Sequence, residues 1–217
     1  GLSPGLFGRN TERPLPICGL KAVVLPSLRS GLRWPRMYKK IARFLIVNVD
    51  DFGLTKGVNG GIIESFKEGV VTSASLLSVG RYFDNAAELA KENPGLDIGI
   101  HLCLTEERTV LEKKDIPSLV DKNGCFLKSR WNFIFHYVLG KIEYAEVEKE
   151  LDAQIRKILE KGLRITHIDS HGYIHMLPGV LAVVIKLAKK YNIKIIRYPR
   201  EKISFYNLIL DNISSAS

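Results

Sequence analysis

The sequence predicts an α/β fold with a parallel sheet, either open or closed into a (β/α) barrel. Apolar strand-like runs alternate with stretches of helical periodicity at least four times along the chain, an order that favours parallel strands joined by helices. Several of these runs end in Asp or His. Right-handed crossovers bring the carboxyl ends of parallel strands to one edge, where ligands and catalytic groups collect.

In the first half of the chain, the clearest strand is the apolar run Phe44–Val47, which is typical of a strand buried on both faces. It leads into the polar segment 48–53. The elements that follow are predicted as a helix over 58–66 that stops at Gly69, a strand over 70–79, a short helix over 84–90 and a strand over 98–104.

In the second half, residues 106–143 break the alternation and are predicted to be an insertion over the carboxyl edge of the sheet. An amphipathic helix over 147–159 ends at Gly162. The strand that begins at Ile165 follows, and then a helix over 178–190 with Leu181, Val184, Ile185 and Ala188 facing inward and a fifth strand over 194–197.

The net charge of +9 is concentrated at the N-terminus, because residues 1–40 contain eight basic side chains and one acidic side chain. The remaining residues are nearly balanced, which argues against a nucleic-acid-binding face. No apolar run approaches the roughly 20 residues that a bilayer requires, so no membrane partner is expected. We expect residues 1–40 to be a disordered or non-native basic leader, with Met37 as a candidate start, and residues 41–217 to form one domain.

The three cysteines, Cys18, Cys103 and Cys125, are an odd number without close spacing. This pattern favours free thiols in a reducing compartment over a disulfide framework, and it predicts a cytoplasmic protein.

Ligand-type side chains lie at three predicted strand ends: Asp50 and Asp51, His101, and the segment His167–His175. If the sheet brings these ends together, Asp51, His101 and His171 offer one carboxylate and two imidazoles, which suit Zn²⁺ and also accept Mg²⁺, Mn²⁺ or Co²⁺. Taken singly, an Asp after a strand is more often a turn residue or a helix cap, and a single His is more often a packed or surface residue. The presence of ligand-type residues at all three strand ends is therefore the observation that predicts a metal site.

A divalent ion at such a site would activate water and polarise a carbonyl group. Asp50 is then the candidate general base, and His175 is the candidate general acid for a departing amine. Asp169 could orient a metal-binding histidine from behind.

Three motifs lie in order along the chain: VNVDDFG at 47–53, GIHLCLT at 99–105 and THIDSH at 166–171. Together with the insertion segment 117–126, they resemble the corresponding segments of the YdjC-like carbohydrate deacetylases, which include the chitooligosaccharide deacetylases. The resemblance covers about residues 42–200. It implies a distorted (β/α) barrel of the polysaccharide-deacetylase type.

The resemblance also implies a hydrolase of carbohydrate metabolism that removes N-acetyl groups from amino sugars or chitooligosaccharides with a divalent metal, commonly Mg²⁺. It assigns the metal ligands to Asp51, His101 and His171, and the base to Asp50.

The sequence departs from the family pattern in two places. Gly172 and Tyr173 stand where further histidines are usual, and the family's later strands are absent, so we expect a domain truncated at its C-terminus. A homodimer is one way to cover the exposed sheet edge. Two other functions stay open: a sugar- and metal-binding module without turnover, and a metal phosphoesterase on a similar barrel.

Overall fold

The structure, a computed structural model, describes the backbone of residues 21–24 and all of residues 45–199. Its strands are β1 (Lys21–Val24), β2 (Leu45–Phe52), β3 (Ser73–Leu76), β4 (Asp97–Leu102), β5 (His167–Ser170) and β6 (Ile195–Ile196). They form one sheet in sequence order, with β1 antiparallel to β2 and all other neighbours parallel. The predicted α/β class and parallel sheet are confirmed, and closure into a barrel stays a prediction.

The helices are α1 (Lys56–Lys67), α2 (Phe83–Glu92), α3 (Arg130–Val138), α4 (Tyr144–Glu160) and α5 (Pro178–Lys190), with 3₁₀ turns at Lys113–Asp115 and His171–Met176. The α1 helix packs against β2 and α2, and α4 packs against β4 and α5. Within the described ranges, no helix combines the length and the apolar character that crossing a bilayer requires.

The helices begin where local chemistry favours a start. The hydroxyl of Thr55 accepts a hydrogen bond from the Val58 amide at the start of α1, and Ser129 does the same for Asn132 at the start of α3. Pro178 occupies the first turn of α5, where its missing N–H costs no helical hydrogen bond.

The central strand β4 shows why parallel strands have a nearly continuous apolar sequence. Ile98, Ile100 and Leu102 are buried on one face, and His101 is buried on the other. Because both faces of β4 are buried, a polar side chain here needs a partner inside the protein.

Two elements differ from the sequence-based expectations. β3 contains four residues rather than the ten predicted over 70–79, because the chain turns at Leu77–Gly80, where the Gly80 amide donates to the Leu77 carbonyl. β1 lies within the segment predicted to be a leader. The other residues of 1–40 lie outside the described residues, so the leader stays a prediction.

The insertion contains α3, which the sequence analysis did not identify as a helix. Short bridges hold the preceding loop, pairing Thr105 with Leu127 and Arg108 with Cys125. The loop therefore folds back on itself beside the carboxyl end of β4.

Gly99 in β4 allows the ring of His167 on β5 to lie directly against the neighbouring strand. A Cβ atom at position 99 would lie 2.2 Å from Nε2 of His167. The ring cannot easily move, because its nitrogens lie 3.3 Å from the Ser75 hydroxyl and 2.9 Å from the Thr166 hydroxyl. Any side chain at position 99 would therefore disturb two strands.

We expect Gly99→Ala to lower the free energy of unfolding by about 1–3 kcal/mol through this overpacking. Urea denaturation measures the change. Gly60→Ala is the matched control, since position 60 lies in α1 with no atom within 4 Å of the added Cβ. Alanine there should stabilise the helix by about 0.5–1 kcal/mol. Equal stability of Gly99→Ala and the wild type would contradict the packing argument.

Candidate metal centre

The residues that the sequence places at strand ends meet at the carboxyl edge of the sheet. Asp50 and Asp51 lie near the end of β2, His101 lies near the end of β4, and His171 directly follows β5. The parallel pairing of these strands brings their ends together although the residues are far apart in sequence. We call Asp51, His101 and His171 the Asp-His-His cluster.

Asp51 contributes to this cluster because the strand is irregular. Its φ angle is +62°, in the left-handed region, and the pairing of β2 with β3 shifts register between Val49 and Phe52. In a regular strand, adjacent side chains point to opposite faces. The left-handed residue breaks this alternation, which lets neighbouring carboxylates at positions 50 and 51 both reach the site.

One carboxylate oxygen lies at the centre of the cluster. Oδ1 of Asp51 lies 3.1 Å from Nδ1 of His171 and 3.4 Å from Nε2 of His101. One ligand atom from each residue lies within 4.8 Å of the other two. Two imidazoles and a carboxylate are a donor set that fits Zn²⁺ and other divalent ions.

A second group of possible ligands, Asp50, His101 and Asp169, meets the same distance criterion. Its carboxylates are already paired with the guanidinium of Arg197. Nη1 lies 2.8 and 2.9 Å from the two oxygens of Asp50, and Nη2 lies 2.9 Å from Oδ2 of Asp169. A cation already compensates this group, so the Asp-His-His cluster is the better metal site.

Asp169 holds His101 from behind. Its Oδ1 lies 2.6 Å from Nδ1 of His101, and it accepts a hydrogen bond of 2.6 Å from the hydroxyl of Ser75 at Oδ2. Nδ1 of His101 is thereby engaged, and Nε2 is left to face Asp51. Asp169 thus orients the imidazole in the way a carboxylate does behind a metal-binding histidine.

The carboxylate of Asp50 is fixed on two sides. Besides Arg197, the side-chain amide of Asn48 donates to its Oδ1 at 2.9 Å, and the same amide donates to Ser75 at 2.9 Å. Asp50 and Asp169 therefore belong to one hydrogen-bonded network, which Ser75, Asn48 and Arg197 complete. The network places the Asp50 carboxylate within 4.8 Å of a His101 ring nitrogen.

The protonation of the cluster reflects its excess of carboxylates. Burial alone would raise the pKa of Asp51, but the hydrogen bond with His171 and the charge of His101 outweigh burial and lower it. Hydrogen bonds to Asp51 and Glu106 raise the pKa of His171 to about 10. The carboxylates around His171 therefore favour a positive charge at this position, and a cation bound to Nδ1 would supply that charge in place of the ring proton.

The pKa values of His101 and of its partner Asp169, which are both buried, are also shifted. Burial would lower the pKa of His101, but the Asp169 carboxylate raises it overall. Burial would raise the pKa of Asp169, but His101 and then Arg197 lower it to about 2. Asp169 is therefore negatively charged at neutral pH although the residue is 0% exposed, and its partners balance that charge.

His175 lies near the cluster in sequence but is engaged inside the protein. Its side chain is buried, its Nε2 donates to the Arg197 carbonyl at 2.8 Å, and its Nδ1 accepts from the Ser170 hydroxyl at 2.5 Å. Burial lowers its pKa. In this arrangement both ring nitrogens are occupied, so a general-acid role would require one bond to open, and that role stays a prediction.

The sequence analysis did not single out Arg197, Ser75 or Glu106 as site residues. Arg197 directly follows β6, so the strand-end rule that identified His101 could also have found it. Ser75 and Glu106 carry no comparable signal, because Ser in a strand and Glu in a loop are common at positions without function.

Known proteins resemble most of the described part of the chain. A family model described as YdjC-like protein matches residues 44–213. A carbohydrate deacetylase of Brevibacillus brevis is 46% identical over 155 residues, which are 71% of this chain and 59% of that protein. A carbohydrate deacetylase of Geobacillus stearothermophilus is 44% identical over 153 residues, 70% of this chain and 59% of that protein. The chain thus spans about three-fifths of the length of these curated relatives.

A solved structure from Enterococcus faecalis V583, named for a proposed role in cellobiose-phosphate cleavage, is also similar. It is 39% identical with a TM-score of 0.64 and matches 76% of this chain and 63% of its own. The family model includes every residue of the Asp-His-His cluster as well as Asp50, Asp169 and Arg197. The chain therefore belongs to the YdjC-like protein family.

Proposed function

We propose that this chain is a metal-dependent hydrolase that removes N-acetyl groups from amino sugars or chitooligosaccharides and releases acetate. The observation that carries the proposal is the convergence of the Asp-His-His cluster beside the fixed carboxylate of Asp50. The names of the Brevibacillus and Geobacillus relatives support the reaction class. Because the chain spans only part of their length, the activity of this chain is itself part of the proposal.

The Asp-His-His cluster would hold the divalent ion, for which Mg²⁺ is our first expectation and Zn²⁺ or another transition metal the alternative. When bound, such an ion polarises a carbonyl group and lowers the pKa of water from roughly 15.7 towards about 7.

Asp50 is the proposed general base. Hydrolysis forms a bond between a water oxygen and the acetyl carbonyl carbon, and the water proton passes to an oxygen of Asp50. The C–N bond then breaks, the amine of the sugar takes up a proton, and acetate leaves. Arg197 and Asn48 hold the Asp50 carboxylate in one orientation, so little motion is needed before proton transfer.

His175 is the predicted proton donor for the departing amine. Its Nε2 carries a proton in the hydrogen bond to the Arg197 carbonyl, and its Nδ1 accepts from the Ser170 hydroxyl, so the ring is neutral in this arrangement. To act as an acid, the ring would first take up a second proton at Nδ1, equivalent to the one that Asp50 removes from water. The bond to the Arg197 carbonyl would then open, and donation of Nε2–H to the amine would return the ring to its neutral form.

The proposed N-acetylated sugar substrate would approach from the carboxyl edge of the sheet, beside the insertion. Trp131 and Phe135 on α3 expose 47% and 61% of their surfaces. Exposed aromatic rings provide apolar faces for a partner of matching shape.

We also propose that the protein is located in the cytoplasm and forms a homodimer.

We expect the full chain to release acetate from N,N′-diacetylchitobiose, to lose this activity after treatment with EDTA, and to regain it when Mg²⁺ or Zn²⁺ is restored. Enzymatic detection of acetate measures the reaction. Cellobiose phosphate in a parallel reaction, with detection of inorganic phosphate, tests the phosphoesterase alternative.

Acetate release that EDTA leaves unchanged would contradict the metal dependence. Sugar binding without acetate release, measured by calorimetry, would instead favour a binding module, and phosphate release without acetate release would favour the phosphoesterase.

We expect Asp50→Asn to lower kcat for acetate release by about 10²- to 10⁴-fold, because the amide cannot accept the water proton. Metal affinity should change little, since Asp50 lies outside the Asp-His-His cluster. Asp115→Asn, at an exposed position in the insertion, is the matched control and should retain the wild-type rate. Full turnover by Asp50→Asn would exclude Asp50 as the base.

A further inference from the structure

The two imidazoles of the Asp-His-His cluster are arranged alike. Each turns one ring nitrogen towards Asp51 and the other towards a second carboxylate. For His101 the second carboxylate is Asp169. For His171 it is Glu106, whose Oε2 lies 3.3 Å from Nε2 while Nδ1 faces Asp51 at 3.1 Å. Glu106 thus occupies the position behind His171 that Asp169 occupies behind His101.

Glu106 reaches this position through an unusual backbone conformation. Its φ angle is +71°, in the left-handed region, which residues with a side chain other than Asn or Asp rarely adopt. Its amide donates to the Leu127 carbonyl at 3.0 Å, so the strained residue is tied to the returning part of the insertion. Strain of this kind persists where the surrounding structure imposes it, and it is often found at functional sites.

The loop that carries Glu106 is fixed at its start by Gln154 on α4. The Gln154 side chain accepts from the Cys103 amide at 3.0 Å and donates to the Cys103 carbonyl at 2.7 Å. Both backbone groups of this residue after β4 are therefore satisfied by one side chain. Because Gln154 is completely buried, water cannot replace these bonds.

The end of the same loop is fixed by Glu150, one turn before Gln154 on α4. The fully buried carboxylate accepts from the amides of Val110 and Leu111 at 2.9 and 3.0 Å. The Gln154 amide donates to the same carboxylate at 2.9 Å. Two neighbouring side chains of one helix therefore define both ends of the loop around Glu106.

The carboxylate of Glu106 also lies beside the start of α3. The backbone amide of Arg130, the first residue of that helix, helps to lower the pKa of Glu106, after the larger effect of the hydrogen bond with His171. The side chain of Arg130 in turn packs close to Gly172, directly after His171. Glu106 is thus joined to His171 and to α3, and its orientation depends on both.

We propose that Glu106 is a positioning residue of the metal centre. It holds Nε2–H of His171 so that Nδ1 is presented, together with Asp51 and His101, to a divalent cation. This inference rests on the metal centre of the proposed function. It concerns which groups orient the ligand and does not depend on which substrate is hydrolysed.

The test is a titration of the full chain with Co²⁺, followed by calorimetry and by the visible absorption of the bound ion. We expect Glu106→Ala to weaken Co²⁺ binding by about 10- to 100-fold, the usual loss when such a partner is removed. The absorption bands of the remaining complex should shift, because the imidazole is no longer held. Glu106→Gln keeps an acceptor for Nε2–H and should lose less affinity than Glu106→Ala.

Glu106→Gly separates the carboxylate from the backbone turn. Glycine adopts a φ of +71° without strain, so this variant should melt at a higher temperature than Glu106→Ala. It should nevertheless bind Co²⁺ as weakly as Glu106→Ala. Glu112→Ala, which removes an exposed carboxylate paired with Lys114 in the same insertion, is the control and should bind like the wild type.

The outcomes are distinct. Wild-type affinity and spectrum in Glu106→Ala would overturn the positioning role while leaving the metal centre intact. Recovery of affinity in Glu106→Gly would show that only the backbone turn matters. A Glu106→Gln variant as weak as Glu106→Ala would show that Glu106 acts through its charge, which would overturn its role in positioning the ring by a hydrogen bond. If the wild type binds no Co²⁺, the metal centre fails, and the role of Glu106 fails with it.

Discussion

Four carboxylates converge at one edge of the sheet, and the compensation of their charge is the constraint on which the site depends. Asp50 and Asp169 share the guanidinium of Arg197, while Asp51 and Glu106 face the imidazole of His171. The three aspartates are largely withdrawn from water, where an unpaired charge would be costly, so each of them requires a cationic or hydrogen-bonding neighbour, whereas the Glu106 side chain is 46% exposed. The pairing leaves the Asp-His-His cluster as the place where an additional cation finds ligands.

The sequence was sufficient to predict the class of the fold and the members of the cluster. The apolar runs of β2 and β4 and the helical periodicity of α4 are local signals, and parallel pairing follows from their alternation. Once the strands are parallel, Asp51, His101 and His171 must lie at the same edge. The prediction needed no knowledge of distances, because topology alone brings strand ends together.

Other features could not be predicted because they depend on tertiary contacts. The left-handed conformation of Asp51 could not be predicted from a glycine at that position, because the residue is an aspartate. Asp50, the partner of Arg197, is 147 residues away from it in sequence. The prediction of the inward face of α5 was partly wrong, because Ile185, which was predicted to face inward, is 39% exposed. The buried residues of this helix include Val180, Val183 and Leu187, which were not predicted. This helix is apolar on most of its surface, so its sequence does not define one face.

The backbone of Asp51 links conformation to chemistry at a single position. Asparagine would accept the left-handed turn but lacks the charge that a cation requires, and glutamate would keep the charge but not the short side chain that tolerates this turn. Each of these two similar residues therefore lacks either the charge or the short side chain that aspartate provides. A substitution at position 51 therefore sacrifices either the turn or the charge, so this one residue determines both the path of the chain at the end of β2 and the capacity of the site for a cation.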